Sequence, residues 1–464
     1  MGYEDARDHE VKNSLDVRIT EFLATYRPGQ PTIVFLPGGM GSQLMCSASS
    51  YVSGDRLQGS KFSVVWYDVG LLLGHDLDSL KIETSGHDRG EHVLVPDGEV
   101  RYVIRPYNET EEYFRSRDFN YVAFGFDWRR SIVEGAAHLG YFLDQLRERA
   151  SGMHLGNPLR DLTLVAHSQG GLVLHLWLLR RFRGAPSAAA VDEWMRCAIC
   201  VGTPFYGTTN HLQRYYRPEK MLEMLFGARP IAELAGSLPG PYVLMPLQGD
   251  VYRRNERDLR LPRYVVRDGS DPTQEADPYD PAQYHRYPPW VRREYLDAAS
   301  GLKSTLEFPL APAVAGRVFH IYSVANGNTL VELEWDPVNG SQYDPRDPVP
   351  MRGTRGPGDG TVPAWSGALT QIPPAQRFEL TEADDHVGLM EHTETLDAIL
   401  KIASSRAVPA SRPRSGRKLG AVAPSRDTTE HVLEEIASSK RAGKKPPAVD
   451  QDISLRFLKE GRLC

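Results

Sequence analysis

Short apolar runs alternate along the chain with longer stretches in which apolar residues recur at helical spacing. The short runs predict buried strands over residues 33–36, 121–126, 162–166 and 197–201. The longer stretches predict helices over residues 134–149 and 172–182. Strands that are apolar throughout and alternate with helices are typical of a parallel sheet covered on both faces. The pattern therefore predicts an α/β fold with a mostly parallel central sheet and helices on both faces.

The alternation stops after the fourth predicted strand. Residues from about 205 to 310 become rich in Arg, Asp, Tyr and Pro, and only two short helices are predicted there, over 219–226 and 231–234. We interpret this stretch as a cap or lid inserted into the sheet domain. The sheet domain itself is predicted to span residues 31–404, and its last elements are strands at 317–325 and 376–380 and a helix at 393–400.

The two ends of the chain have a different character. Residues 1–30 are polar with one amphipathic stretch (Val17, Ile19, Phe22, Leu23), which predicts a short helix or a frayed lead-in. Residues 405–464 are predicted to be a basic, largely disordered tail with one short helix at 428–441. A solvated linker is one interpretation of the tail, and an arm that docks on an anionic lipid surface is another. Contact with a nucleic acid or a partner protein is the third.

Composition narrows the class of protein. The chain has 464 residues, of which 41% are hydrophobic and 25% are charged, values typical of a globular protein. The net charge of −6 argues against general nucleic-acid binding. The sequence has neither an apolar run of about 18–20 residues nor a basic and apolar N-terminal leader. These observations predict a cytoplasmic location, and they carry no signal for oligomeric state.

The strongest chemical signal is the segment AHSQGG, residues 166–171. It lies directly between a predicted strand and a predicted helix, where a serine occupies a sharp turn known as the nucleophile elbow. Small residues are needed on both sides of such a serine because neighbouring backbone comes close, and Ala166 and Gly170 meet this requirement. The start of the helix also offers N–H donors where an oxyanion forms. Ser168 is therefore the predicted nucleophile; a serine in an ordinary helix start is the alternative.

A serine nucleophile needs a base, and the base needs an acid that orients it. In α/β-hydrolases these residues follow in the order serine, acid, histidine. The loop sequence GPGDGTVPAWS supplies Asp359 after the strand predicted at 317–325, although a turn aspartate or a cation-binding loop is an alternative there. The loop sequence EADDHVGLM supplies His386 before the last helix. The order predicts an α/β-hydrolase fold with Asp359 and His386 as the partners of Ser168.

Neighbouring residues offer alternatives for both partners. His392 is the second candidate base, but it lies nearer the last helix, where a structural role is expected. Asp384 and Asp385 flank His386, but adjacent residues rarely reach the outer ring nitrogen, so Asp359 is preferred.

Two backbone N–H groups are expected to bind the oxyanion. One belongs to Gln169, the residue after the nucleophile, and the other to the glycine turn PGGMG that follows the first strand. A glycine-rich turn after a strand, here Gly39-Met40-Gly41, is also typical of a phosphate-binding loop. The GxGxxG pattern fails, however, because residue 44 is Leu, and no GxxxxGK[ST] motif occurs there.

Taken together, the motifs resemble the lecithin:cholesterol acyltransferase family of α/β-hydrolases, which includes lysosomal phospholipase A2 and phospholipid:diacylglycerol acyltransferases. The resemblance covers about residues 31–400 and rests on PGGMGSQL (37–44), FDWR (126–129), HSQGG (167–171), GTPFYGT (202–208), SLPGPYVLMP (237–246), GDGTVP (358–363) and the His386 segment. It implies Ser168, Asp359 and His386 as the catalytic triad and Gly39 and Gln169 as the oxyanion donors.

The resemblance also implies an acyl groove shaped by the cap and by the segment around Trp66. Candidate substrate-binding residues are Trp66, Met40 and Trp128. For Asp127 and Trp128 the resemblance implies substrate support or loop bracing, and a buried tryptophan beside a turn-capping aspartate is an equal alternative.

The sequence thus predicts a serine acyl-ester hydrolase or O-acyltransferase that acts on lipid-like esters through an acyl-enzyme. The partners expected are a lipid or other ester substrate and a membrane surface touched through the cap or the basic tail. No metal, no organic cofactor and no nucleic acid is expected. The alternative is a hydrolase-fold scaffold or partner-binding module without turnover.

Overall fold

The computed structural model describes residues 3–46, 63–66, 77–89, 93–100, 107–216, 228–246, 264–271, 273–335 and 352–409. The helices predicted at 219–226 and 428–441 lie outside these residues, and so does the basic tail from residue 410 onwards.

A six-stranded sheet forms the centre of the described chain, and all of its strand pairs are parallel. Its strands are β1 (Thr32–Leu36), β5 (Asn120–Ala123), β6 (Leu162–His167), β7 (Cys197–Val201), β9 (Val318–Ser323) and β12 (Arg377–Leu380). Their order across the sheet is β12-β9-β7-β6-β1-β5. The predicted α/β class, with the arrangement of an α/β-hydrolase core, is confirmed.

Helices cover both faces of this sheet. Alternate residues of β1 point to opposite sides: Val34 and Leu36 join one buried cluster, and Ile33 and Phe35 join the other. The first cluster includes apolar residues of α1 (Tyr3–Thr25), α3 (Ile132–Gly152) and α4 (Gln169–Arg181). The second includes residues of α2 (Asn108–Arg115) and α11 (Thr393–Ser405). Burial on both faces explains why the strands are apolar throughout.

Helix α1 is longer than the lead-in expected from the sequence. It runs for 23 residues and packs on α3 and on β4 (Leu94–Glu99). The apolar part of its buried face starts at Val11 and Leu15 and continues through Ile19 to Phe22 and Leu23. Val17, which the sequence pattern placed on that face, is 58% exposed. The amphipathic pattern therefore begins earlier than expected, and the helix is part of the core.

The remaining elements form two small sheets and several short helices. One sheet contains β2 (Ser42–Cys46), β3 (Ser63–Trp66) and β4, and the other contains β8 (Val266–Asp268), β10 (Thr329–Trp335) and β11 (Arg352–Gly356). The other described helices are α5 (Ala188–Asp192), α6 (Thr209–Arg214), α7 (Ala228–Ser237), α8 (Pro239–Tyr242), α9 (Arg293–Leu306) and α10 (Pro312–Ala315). Single 3₁₀ turns cover Leu77–Leu80, Pro281–Arg286, Ala364–Ser366, Pro374–Gln376 and Val387–Glu391.

Part of the expected cap is thus tied to a later part of the chain. Strand β8 lies within 205–310, whereas its neighbour β10 lies beyond it. Of the helices described, none combines the length and the apolar character needed to cross a bilayer.

Candidate active site

The predicted site residues meet at one edge of the central sheet. Because parallel strands all end at the same edge, loops that follow different strands come together there. Ser168 directly follows β6, and His386 lies in the loop after β12. Asp359 lies in the loop after β11, which returns to this edge from the small sheet. All three side chains are buried.

Ser168 occupies a strained turn between β6 and α4. Its φ of 52° lies in the left-handed region that residues with a Cβ rarely adopt. The turn requires close backbone approach: a Cβ on Gly170 would lie 2.3 Å from the carbonyl oxygen of Pro37. Gly170, two residues after the nucleophile, must therefore lack a side chain, as the elbow motif predicts.

Ser168, His386 and Asp359 form a continuous hydrogen-bonded chain. The Ser168 hydroxyl lies 2.9 Å from Nε2 of His386, and Nδ1 of His386 lies 2.7 Å from Oδ2 of Asp359. A carboxylate can only accept, so it fixes the proton on Nδ1 and leaves Nε2 to accept from the serine. In this tautomer the imidazole can act as a base toward the serine hydroxyl.

The acid is itself held by backbone donors. Oδ1 of Asp359 accepts N–H groups from Thr361 at 2.9 Å and from Val362 at 2.6 Å. The other carboxylate oxygen is thereby directed at His386.

The alternative residues occupy other positions. His392 precedes α11, and its Nδ1 accepts the backbone N–H of Glu394 at 3.3 Å, so it caps the helix. Asp385 accepts the backbone N–H of Gly388 at 3.1 Å, and the carbonyl of Asp384 accepts from Asn326. These contacts of the three residues stabilise loops and the start of α11, and none of them is made to Ser168.

The glycine turn after β1 packs against the nucleophile. A Cβ on Gly38 would lie 3.0 Å from Cβ of Ser168, and the turn is closed by the Gly41 N–H on the Gly38 carbonyl at 3.0 Å. Gly39 lies inside this turn, and Met40 follows it with a φ of 61°. On the other side, Gln169 is the first residue of α4, so its N–H is among the four that have no acceptor within the helix.

The three predicted substrate-binding residues form one buried cluster. Nε1 of Trp66 donates to the carbonyl of Met40 at 2.7 Å, and the rings of Trp66 and Trp128 meet edge to face at 5.3 Å. The Trp128 carbonyl lies 3.4 Å from Nε2 of Gln169, which links the cluster to the start of α4. The sequence predicted these residues separately; the structure brings them together.

A buried ionic network beside this cluster was not foreseen. Arg129 is fully buried and binds Asp127 at 2.7 Å and Asp88 at 2.9 Å. Arg7 of helix α1 binds Asp127 at 3.1 Å and also Glu134. Asp127 Oδ1 also accepts the backbone N–H of Arg129 at 3.2 Å, and Trp128 is buried, so the contacts fit both loop bracing and a turn-capping aspartate beside a buried tryptophan. Sequence patterns gave no signal for the network, because its members are up to 127 residues apart.

The charges of this network determine its titration. Burial alone would raise the pKa of Asp127, but the positive charges of Arg129, Arg7 and Arg130 outweigh it and bring the pKa below its ordinary value. The carboxylates also hold the pKa of Arg129 above its ordinary value against the opposite effect of burial. Both pKa shifts favour the charged forms of Asp127 and Arg129, and each of these charges depends on its partners.

Comparison with known proteins now bears on the class of protein. The fold and the serine-containing turn are those of an α/β-hydrolase. Residues 111–256 match the family model described as Lecithin:cholesterol acyltransferase. This match confirms the resemblance predicted from the motifs and supports assignment to a family of that type. It includes Ser168 but ends before Asp359 and His386. At the level of the family it supports a lipase or acyltransferase function.

No curated protein matches the sequence. A chain of the solved structure entitled "The crystal structure of Tle4-Tli4 complex" is similar with a TM-score of 0.43 and 12% sequence identity, over 94% of this chain and 99% of that chain.

Proposed function

We propose that this protein is a serine acyl-ester hydrolase or O-acyltransferase that acts on lipid-like esters. The proposal rests on one observation above all, the hydrogen-bonded chain from Ser168 through His386 to Asp359, with distances of 2.9 and 2.7 Å. A nucleophile, a base and an orienting acid in contact are the minimum that acyl transfer by serine requires. The family match supports the same class of reaction.

The reaction proceeds in two steps. Ser168 Oγ bonds to the ester carbonyl carbon while His386 Nε2 takes the hydroxyl proton. The ester C–O bond then breaks, and His386 returns the proton to the leaving alcohol oxygen. Asp359 keeps the imidazole in the required tautomer and stabilises its cation. In the second step water or another alcohol loses a proton to His386 and bonds to the acyl carbonyl carbon. The bond between that carbon and Ser168 Oγ then breaks, and His386 returns the proton to Ser168 Oγ.

Backbone N–H groups stabilise the tetrahedral oxyanion in both steps. We assign this role to Gly39 and Gln169, on the grounds that the Gly38–Gly41 turn and the first turn of α4 both adjoin the nucleophile. An oxyanion donor of this kind contributes roughly 3 kcal/mol to transition-state stabilisation. The cluster of Met40, Trp66 and Trp128 supplies an apolar wall suited to an acyl chain.

A fluorophosphonate probe tests the proposal, because it bonds covalently only to an activated serine. We expect wild type to be labelled and the variants Ser168→Ala and His386→Ala to lose labelling. His392→Ala is the matched control: it removes an imidazole six residues away that caps α11, so labelling should persist. Folded wild type that stays unlabelled with and without liposomes would instead favour the non-catalytic scaffold.

A substrate panel then separates hydrolysis from transfer. Phospholipid and neutral-lipid vesicles are incubated with wild type, with and without a long-chain alcohol. Free fatty acid alone indicates a hydrolase, and formation of the new ester at its expense indicates an acyltransferase. The expected cap at about 205–310 and the expected tail would set access to such vesicles, and both stay predictions.

A further inference from the structure

A second hydrogen-bonded chain runs beside the first and has no role in the chemistry described so far. The backbone N–H of Gly38 lies 3.0 Å from Oη of Tyr107. Oη of Tyr107 lies 3.1 Å from Nδ1 of His167, and Nε2 of His167 lies 3.0 Å from the backbone carbonyl of His386. The side chains of Tyr107 and His167 are both at least 97% buried.

The direction of each hydrogen bond in this chain is determined by its ends. The Gly38 N–H can only donate, so Tyr107 Oη accepts from it and uses its own proton toward His167. The His386 carbonyl can only accept, so His167 carries its proton on Nε2 and accepts on Nδ1. Burial lowers the pKa of His167 well below its ordinary value, and the neighbouring His386 lowers it further. A neutral imidazole is the form that this pattern requires.

The chain connects the parts of the site that must be aligned for catalysis. Gly38 opens the turn that contains the proposed oxyanion donor Gly39, and His167 directly precedes the nucleophile. The His386 carbonyl belongs to the proposed base, which lies in the loop after β12, the strand at one end of the sheet. Close packing supports the connection: the His167 and His386 rings are 4.8 Å apart, and a Cβ on Gly38 would lie 3.0 Å from Nδ1 of His167.

We infer that Tyr107 and His167 are positioning residues that hold the oxyanion turn and the catalytic histidine in register with Ser168. This inference rests on the proposed function. Neither residue touches the reacting atoms, so each acts through the backbone of another. Misplacement of a catalytic group by about 1 Å costs on the order of a hundredfold in rate. Loss of the chain should therefore lower kcat about tenfold to a hundredfold and leave KM nearly unchanged.

Two variants of His167 separate positioning from simple destabilisation. In His167→Gln the side-chain amide nitrogen lies near the place of Nε2 and can still donate to the His386 carbonyl. In His167→Asn the shorter amide reaches only the place of Nδ1, so the bond to His386 is lost. Both variants are polar and smaller than histidine. We expect kcat on a chromogenic acyl ester to be at least fivefold higher in His167→Gln than in His167→Asn.

Tyr107→Phe tests the other end of the chain and has a matched control. It removes one hydroxyl and should lower kcat about tenfold. Tyr216 is equally buried, accepts from Nε1 of Trp335 at 2.8 Å and donates to the carbonyl of Arg286 at 3.0 Å. Tyr216→Phe therefore removes a hydroxyl with the same pattern of bonds, so a similar loss of stability with unchanged kcat is expected.

The outcomes distinguish the two proposals. Wild-type kcat in Tyr107→Phe, equal kcat in the two His167 variants, or a rise in KM alone would overturn the positioning role while serine chemistry stands. Absence of both probe labelling and ester turnover in wild type would overturn the proposed function, and the positioning role with it.

Discussion

The substitution Asp359→Asn tests the tautomer argument most directly. In the native site one carboxylate oxygen accepts the N–H groups of Thr361 and Val362, at 2.9 and 2.6 Å, and the other faces His386 Nδ1 at 2.7 Å. An asparagine keeps its carbonyl oxygen on the two N–H groups, so its NH₂ group faces His386. Nδ1 must then accept, the ring proton moves to Nε2, and Nε2 no longer accepts from Ser168.

The magnitude follows from the hydrogen bonds at stake. If the asparagine amide turns the other way, its oxygen faces His386 and the correct tautomer is restored. The N–H groups of Thr361 and Val362 then lose their acceptor, which costs roughly 1–3 kcal/mol for each group. A bias of roughly 2–6 kcal/mol towards the wrong tautomer corresponds to a loss of about 30-fold to 25,000-fold in kcat. The same change in other serine enzymes with a triad costs about 10⁴.

The assay is steady-state hydrolysis of a chromogenic ester by wild type, Asp359→Asn and Asp359→Ala. The alanine variant loses the acid but does not force the wrong tautomer on His386. Asp359→Asn should therefore be no more active than Asp359→Ala, although asparagine is closer to aspartate in shape. Activity of Asp359→Asn within threefold of wild type, or well above that of Asp359→Ala, would refute the reasoning.

Three further substitutions test other parts of the structure. Gly38→Ala puts a Cβ 3.0 Å from Cβ of Ser168, so ester turnover should fall about tenfold while the circular-dichroism spectrum is unchanged; full activity would mean that the turn is not tightly packed. Burial lowers the pKa of Lys303 from 10.5 to about 7. The buried charge therefore destabilises the folded state by its full amount below about pH 7, and the destabilisation declines to nothing as the pH rises to 10.5. Lys303→Met should therefore be more stable than wild type in urea at pH 7, by a margin that shrinks by about 1.4 kcal/mol per pH unit up to pH 10; a constant margin would contradict this. Arg129→Met leaves Asp127 short of a buried partner and should cost about 3–5 kcal/mol in urea unfolding, whereas an exposed arginine changed in the same way should cost little.

The sequence was most informative where the structure is local. The strand, the turn and the helix around Ser168 are contiguous, so apolar periodicity and two small residues suffice to predict them. The boundaries were less accurate: the strand predicted to end at residue 126 ends at Ala123. The length of helix α1 was underestimated because its apolar pattern was taken to begin at Val17, which is 58% exposed, rather than at Val11 and Leu15.

Contacts between segments that are far apart in the chain could not be predicted from the sequence. His167 was visible as part of a motif, but its partner Tyr107 lies 60 residues earlier in a stretch without any pattern. The Arg129 network depends in the same way on Arg7 and Asp88. An arginine in isolation predicts exposure, since charged side chains are buried only when they are paired, and sequence alone does not reveal the pairing.

Helix α1 also has a consequence for the biosynthesis of the chain. Its apolar face packs on α3, which ends at Gly152, and its Arg7 binds Asp127. At a synthesis rate of about 5–20 residues per second, the roughly 125 residues from the end of α1 to the end of α3 take about 6 to 25 s to emerge. During that interval the apolar residues of the α1 segment lack the α3 surface that buries them in the folded protein. Helix α1 is thus made well before the helix that covers its apolar face, so this contact cannot form until α3 has emerged.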